Sequence, residues 1–222
     1  MKETCYMCGE CVTSREHVPP KCLFPEKKDL PKGFNLRKNL ITVPSCDLHN
    51  THKSQDDQYL QLVLTCTFKG NNSKTNLFNT KVMRVFDRKP QLLAGFMKQR
   101  EKVLVPDASG KLQETMKITV DPIRFNDVIK HMACGIVFHH YKEKWLGKNY
   151  KIISNDFLSE HDHANQAIFS AVETVGTAMS NIVSLGENEE VFRYQTISGN
   201  LGYFVQMTFY GEIKVSILLE NV

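Results

Sequence analysis

The chain has 222 residues, 41% of them hydrophobic and 23% charged, with a formal net charge of +4. That supplies enough apolar material for one large domain or two small ones, and the balance is too ordinary for wholesale disorder. No apolar run approaches the ~18 residues of a membrane span, and the opening MKETCYMCGE holds no apolar signal core, which predicts a cytoplasmic protein without a membrane partner. In that compartment the seven cysteines are thiols or metal ligands rather than disulfides.

Residues 1–50 are rich in Cys, Pro, Gly and Asn and show little periodicity, so they read as short strands and loops that need an external staple, with NLITVP supplying one strand. A helix is expected from about His49 to Phe68, because Tyr59, Leu62, Val63 and Cys66 recur on one helical face. Gly70-Asn71-Asn72-Ser73 breaks it. Residues 76–105 read as a basic helical stretch, interrupted near Pro90 and ended by Pro106. SGKLQETMKITV reads as a turn and then a strand. Asp121-Pro122 opens the next helix as an N-cap acid with proline at the first position. Phe125, Val128, Ile129, Met132, Ile136 and Val137 continue it to about Tyr141. Residues 164–183 form a further helix despite Gly176. The tail then changes period: VFRYQTI, YFVQMTFY and IKVSILL, separated by Gly-containing turns, predict an antiparallel meander. The fold class expected is α+β. A metal-stapled N-terminal module (1–72) precedes a larger α+β domain (73–222) with amphipathic helices and a C-terminal meander.

Charge is uneven along the chain. Residues 1–70 carry ten Lys/Arg and eight Asp/Glu, residues 71–120 ten and four, and residues 121–222 eight and twelve. The +6 middle beside a −4 tail suggests one face made for a polyanion, and a lysine-rich solvated surface explains it equally well.

Cys5-x-x-Cys8 is followed by Cys46-x-x-His49. Two such pairs, each on a tight turn, converge on one tetrahedral Zn²⁺, and a region too polar to build its own core would draw folding free energy from it. Cys11 continues the spacing from Cys8 and is a rival ligand. Cys66 and Cys134 lie on apolar helix faces and read as core. His17 follows an acid and precedes Pro19 and Pro20, a loop stiff enough to hold an imidazole at a fixed angle. Asn50 follows the last proposed zinc ligand, so the metal would fix its direction. Lys53 and Asp57 stack with Asn50 on one helix face, where Asp57 reads more simply as solvated.

In order, Glu16-His17, Asn39-Leu40 and CDLHNTHK, behind Cys5-x-x-Cys8, resemble the HNH endonucleases, whose core is the ββα-metal fold. The resemblance covers about residues 3–65. It implies His17 as the general base on the attacking water and one Mg²⁺ or Mn²⁺ held by Glu16 and Asn50. It further implies Asn39 as the residue that orients the loop of His17, and Lys53 as a phosphate contact. Two positions depart from the family: Glu16 stands where Asp is usual, and His49 stands where Cys is usual. His52 is an alternative to Asn50 as the second ligand of the catalytic metal.

The function expected is therefore a metal-dependent endonuclease acting on DNA, with RNA as a second substrate class, in an architecture compatible with restriction or antiviral defence. Residues 73–222 would be an accessory domain that regulates it or binds nucleic acid, and a homo-oligomer or a regulatory partner would form through it. The alternative is a zinc-knuckle module that binds nucleic acid without cutting it. The two readings part on Glu16, His17 and Asn50, which a pure binder does not need together.

Overall fold

A computed structural model describes residues 3–50, 53–106, 109–154, 156–157 and 163–221. Strand β1 (Ser14–His17) pairs antiparallel with β2 (Thr42–Ser45), in a register that sets Ser14 against Ser45 and His17 against Thr42. A single helical turn, α1 (Asp47–Asn50), follows, and then helix α2 (Ser54–Thr65). The expected helix from His49 is thus two pieces, and His52, the alternative metal ligand, lies outside the described residues. Cys66 caps the end of α2 and is exposed rather than core, because the apolar face runs out one residue before it.

Helix α3 (Asn72–Leu77) starts at Asn71, whose side chain accepts hydrogen bonds from the Ser73 and Lys74 amides. It continues through a π-helical turn (Phe78–Val82) into α4 (Met83–Arg88), and α5 (Pro90–Phe96) begins at the proline that interrupts the run. The expected helical stretch to 105 is corrected beyond Met97. Arg100–Pro106 is strand β3, paired along its length with β4 (Leu112–Ile118). Val103 and Val105 are half-buried and alternate with the exposed Lys102, Leu104 and Pro106, a period of two that the composition hid.

Helix α6 (Pro122–Tyr141) is the spine of the molecule. Asp121 caps it, accepting from the Ile123 and Arg124 amides at 3.0 and 3.2 Å, and Lys142 ends it in the left-handed region at φ 61°. Residues Met132 to Val137 are all buried, so this is a helix covered on every side. One side meets α2 and β2. The other meets the C-terminal sheet, whose order is β5 (Tyr150–Ile153), β9 (Ile213–Glu220), β8 (Gly202–Phe209), β7 (Phe192–Gly199), β6 (Leu185–Asn188), with every pair antiparallel. The meander is as expected, and β5 and β6 extend it at both edges. Helix α7 (Gln166–Met179) lies in the connection between them.

One apolar cluster runs from Cys5 and Tyr6 through Val18, Leu60 and Val128 to Val205, Ile217 and Leu219. Packing therefore continues across the boundary expected near residue 72. Two hydrogen bonds reinforce the join: the buried Tyr210 hydroxyl donates to the Leu23 carbonyl at 2.8 Å, and Lys144 Nζ donates to the Cys8 carbonyl at 3.0 Å. No helix among the described residues is long and apolar enough to cross a membrane.

Helix α6 comes close to the residue after β1 at Gly135, where an added Cβ would stand 2.6 Å from Val18 Cγ2 and 3.3 Å from Cγ1. Val18 is fully buried and β-branched, so it has little room to turn away. Gly135→Val is expected to destabilise the protein by about 1–3 kcal/mol through overpacking, despite the better helix propensity of valine. A thermal melt checks this, and an unchanged midpoint would show that Val18 yields freely.

Candidate metal centre and the face of β1

The hairpin and the first helical turn bring two distant cysteine turns together. Cys5 and Cys8 sit in a turn closed by the Cys5 N–H to Glu10 carbonyl bond, and Tyr6 N–H donates to the Pro44 carbonyl in β2. Cys46 and His49 flank the start of α1. The ligand atoms of Cys5, Cys8, Cys46 and His49 all lie within 4.8 Å of one another, and these four residues are positioned to bind a metal ion. Cys8 Sγ is 3.8 Å from Cys46 Sγ, and His49 Nδ1 is 3.6, 3.5 and 3.3 Å from the sulfurs of Cys5, Cys8 and Cys46. A tetrahedral ion with bonds of about 2.3 Å to sulfur and about 2.0 Å to nitrogen has edges of about 3.8 Å between sulfurs and about 3.5 Å from sulfur to nitrogen. These four distances match those edges closely. Cys11 is exposed and outside the group; it pairs instead in a bridge with Thr4.

Burial pushes the Cys5 thiol up, but backbone hydrogen bonds from Met7 and Cys46 and the neighbouring thiols outweigh it, leaving it below the usual thiol value. The Cys8 thiol is pushed up to about 11, chiefly by burial. The His49 imidazole is lowered by burial and by Lys130, which keeps it neutral and ready to ligate.

Strand alternation then divides the acid from the histidine. Ser14 and Glu16 face the helical side, and Arg15 and His17 face away. On the helical side, Asn50 Nδ2 donates to Ser14 Oγ at 2.8 Å. Glu16, only 3% exposed, accepts from the Tyr6 hydroxyl at 2.8 Å and pairs with the ammonium of Lys53. Lys53 is 4% exposed and also meets Asp57 Oδ1 at 3.2 Å. Burial would drive the Lys53 ammonium down, but Glu16 and Asp57 prevail and hold it above the ordinary lysine value. Asp57 is raised, first by burial and then by Glu16, against the opposing pull of Lys53.

These placements correct three expectations. Lys53 is not open to a phosphate, since its charge is spent on two carboxylates inside the protein. Asp57 is not solvated. Glu16 and Asn50, as placed, do not fit a hydrated divalent cation. One Glu16 oxygen is covered by Tyr6 and the other by Lys53, and an Mg²⁺ site needs open oxygens and room for its waters.

His17, at the end of β1, is half-buried. Its pKa is lowered by burial first and then by Lys21 and Arg37, so the imidazole is neutral at pH 7. Asn39 is exposed and takes the left-handed backbone at φ 50°, which asparagine tolerates. The loop it belongs to is closed by the Val18 N–H to Ile41 carbonyl bond and held from the C-terminal sheet by Asn188 Nδ2 on the Lys38 carbonyl at 2.9 Å. Tyr6, Lys21 and Arg37 carry no sequence signal of their own. The one available hint was the four-residue spacing of Lys53 and Asp57, which favours an ion pair on a helix.

No family model, curated protein or solved structure matches the chain.

Proposed function

We propose that this chain is an endonuclease of the HNH type that hydrolyses phosphodiester bonds in DNA, with a structural zinc at Cys5, Cys8, Cys46 and His49 and with His17 as general base. The observation that carries the reading is His17 itself. A neutral, half-buried imidazole ends the first strand of a strand–strand–helix unit whose helix start is tied to the metal cluster. Three thiolates and an imidazole at tetrahedral spacing suit zinc, and their closed first sphere suits a structural rather than a catalytic ion. His17 accepts the proton of the attacking water, and its depressed pKa keeps it unprotonated over the neutral range. With Glu16 engaged by Tyr6 and Lys53, the catalytic reading rests on His17, and a requirement for Mg²⁺ or Mn²⁺ is a matter for direct measurement.

A second reading, a nucleic-acid-binding module without catalysis, is favoured by that same ion pair, which uses the acid a metal would need. Incubation of plasmid and of RNA, with and without Mg²⁺ or Mn²⁺, beside His17→Ala, separates the two. The expected result is DNA cleavage that His17→Ala reduces by ~10²–10⁴ in rate, with binding retained. Because the folded imidazole titrates below its ordinary value, cleavage should hold from pH 8 to 6.5 and fall only at lower pH. An equal rate for His17→Ala across pH 6 to 9 would remove the base assignment, and no cleavage under any condition leaves the binding module.

A further inference from the structure

The long connection between β1 and β2 carries a second charged cluster, which touches the buried one at Cys22. Five cations meet there: Lys21 and Lys28 from its two 3₁₀ turns, Arg37 from its far end, and Lys81 and Arg84 from the π-helical turn and α4. Two acids accompany them. Asp29 takes Arg84 in a two-pronged pair at 2.8 and 2.6 Å, and Glu26 takes Lys28 at 2.8 Å. Among the described residues Lys21 and Lys81 meet no carboxylate within 4 Å, and Arg37 shares Glu26 with Lys28 and Arg84. Arg37 pairs with Glu26 at 3.8 Å and also donates to the Phe24 carbonyl, by Nε at 3.2 Å and Nη2 at 2.8 Å. Lys81 Nζ donates to the Cys22 carbonyl at 3.2 Å.

Carbonyls of one three-residue segment, 22–24, therefore hold two of the cations in place, and the single charge of Glu26 is divided among Lys28, Arg37 and Arg84, so the cluster stays net positive. Lys21 is the next residue before that segment. The helical side is fixed to the loop by Asn76 Nδ2 on the Asp29 carbonyl at 3.0 Å as well as by Arg84. Bringing like charges together costs energy, and a carbonyl returns only part of it. Such a set suits an anion that arrives from outside. A π-helical turn, which is what carries Lys81 here, is frequent at functional sites. Arg37 and Lys81 are both partly covered, so a charge bound between them is less screened than on an open surface. Lys21 and Arg37 are also within electrostatic reach of His17, while Lys81 reaches the cluster through Cys22, whose thiol touches the Asp57 carbonyl.

We propose that Lys21, Arg37 and Lys81 form the site that grips a backbone phosphate of the nucleic acid next to His17. This deepens the nuclease reading and rests on it for the identity of the anion as a phosphodiester. It assigns the phosphate contact to the loop and the π-helical turn. In the β3–β4 hairpin, by contrast, Lys102 and Lys117 are paired across the strands with Glu114 and Glu101.

The test uses the zinc-loaded full chain carrying His17→Ala, so that binding is read without cleavage. Affinity for a duplex oligonucleotide is measured by anisotropy between 50 and 300 mM salt. Lys21→Gln and Lys81→Gln should each weaken binding at low salt and reduce the slope of log K against log[salt] by about 1, irrespective of sequence. Lys81→Arg should keep the parent slope, and Lys102→Gln should leave it unchanged. Lys21 is exposed, so its variant carries the test even where Lys81→Gln disturbs folding. Unchanged slopes for Lys21→Gln and Lys81→Gln overturn the site, and the nuclease reading then stands or falls by the His17 experiment alone. Reduced slopes in a protein that never cleaves uphold the site and remove the nuclease. Binding of inorganic phosphate without binding of the oligonucleotide overturns the assignment to a nucleic-acid backbone.

Discussion

Purified protein should contain one zinc per chain, and a strong chelator or Cys46→Ser should remove it and melt the β1–β2 end of the molecule. The cluster ties the turn of residues 5–8 to the start of α1, positions some forty residues apart in sequence. Zinc binding to small cysteine–histidine modules is worth about 10–16 kcal/mol at neutral pH, and here it also holds Cys5 and Tyr6 in the shared core. Even a fraction of that lowers the thermal midpoint by more than about 10 °C in a chain of this size. Hydrogen exchange should show the loss first in Thr13, Val18 and the amides of β1. Cys11→Ser is the control, since Cys11 is exposed and outside the cluster, and it should alter neither zinc content nor midpoint. Elemental analysis without zinc, or a parent-like midpoint for Cys46→Ser, would refute the centre.

The second large effect is expected at Lys53. Lys53→Met leaves Glu16 and Asp57 facing each other with no cation between them, in a site where Glu16 is 3% exposed. Removing one partner of a buried ion group costs roughly 3–5 kcal/mol, because the charge left behind is unpaired. Pairing the change with Glu16→Gln removes the orphaned carboxylate and should recover most of the loss, a coupling that a double-mutant cycle reads directly. The pH dependence has a definite sign. The Asp57 carboxyl is already raised above 3.8 in the folded protein, so the folded state holds its proton more tightly than the unfolded one. Lys53→Met should therefore gain stability as pH falls from 8 towards 5, and lose it again on return. Equal stability of Lys53→Met and its parent at pH 8 would show that the group is not the paired cluster described.

The sequence was most legible where one local rule decides the outcome. Helix α6 follows from an Asp-Pro start and an uninterrupted apolar period, and the metal ligands follow from paired spacing on tight turns. The C-terminal meander follows from β-branched runs between glycines. What stayed hidden depends on partners far away in the chain. Arg100–Pro106 is a strand because β4 lies beside it, and Arg100, Glu101 and Lys102 with the apolar Leu104 masked the alternation of Val103 and Val105. Glu16 reads as an open metal ligand until the hairpin closes Tyr6 onto one oxygen and α2 brings Lys53 to the other. Lys21, Arg37 and Lys81 are sixteen and forty-four residues apart along the chain, and two backbone carbonyls bring Arg37 and Lys81 to the segment that follows Lys21.

The bond from Tyr210 to the Leu23 carbonyl has a consequence for the order in which the molecule is made. The loop beside His17 leaves the ribosome early, but the strands that complete its packing, through Leu219, come last. At about 5–20 residues per second, the hairpin waits roughly 10–40 s for the other wall of its core. Throughout that interval the loop of residues 18–41 lacks its Tyr210 and Asn188 anchors. A protein that cuts nucleic acid would then be inert beside the transcript and ribosome producing it, and would become competent only when the last strand docks. A nascent chain halted before residue 205 should bind zinc and show no activity, and release of the full length should restore it.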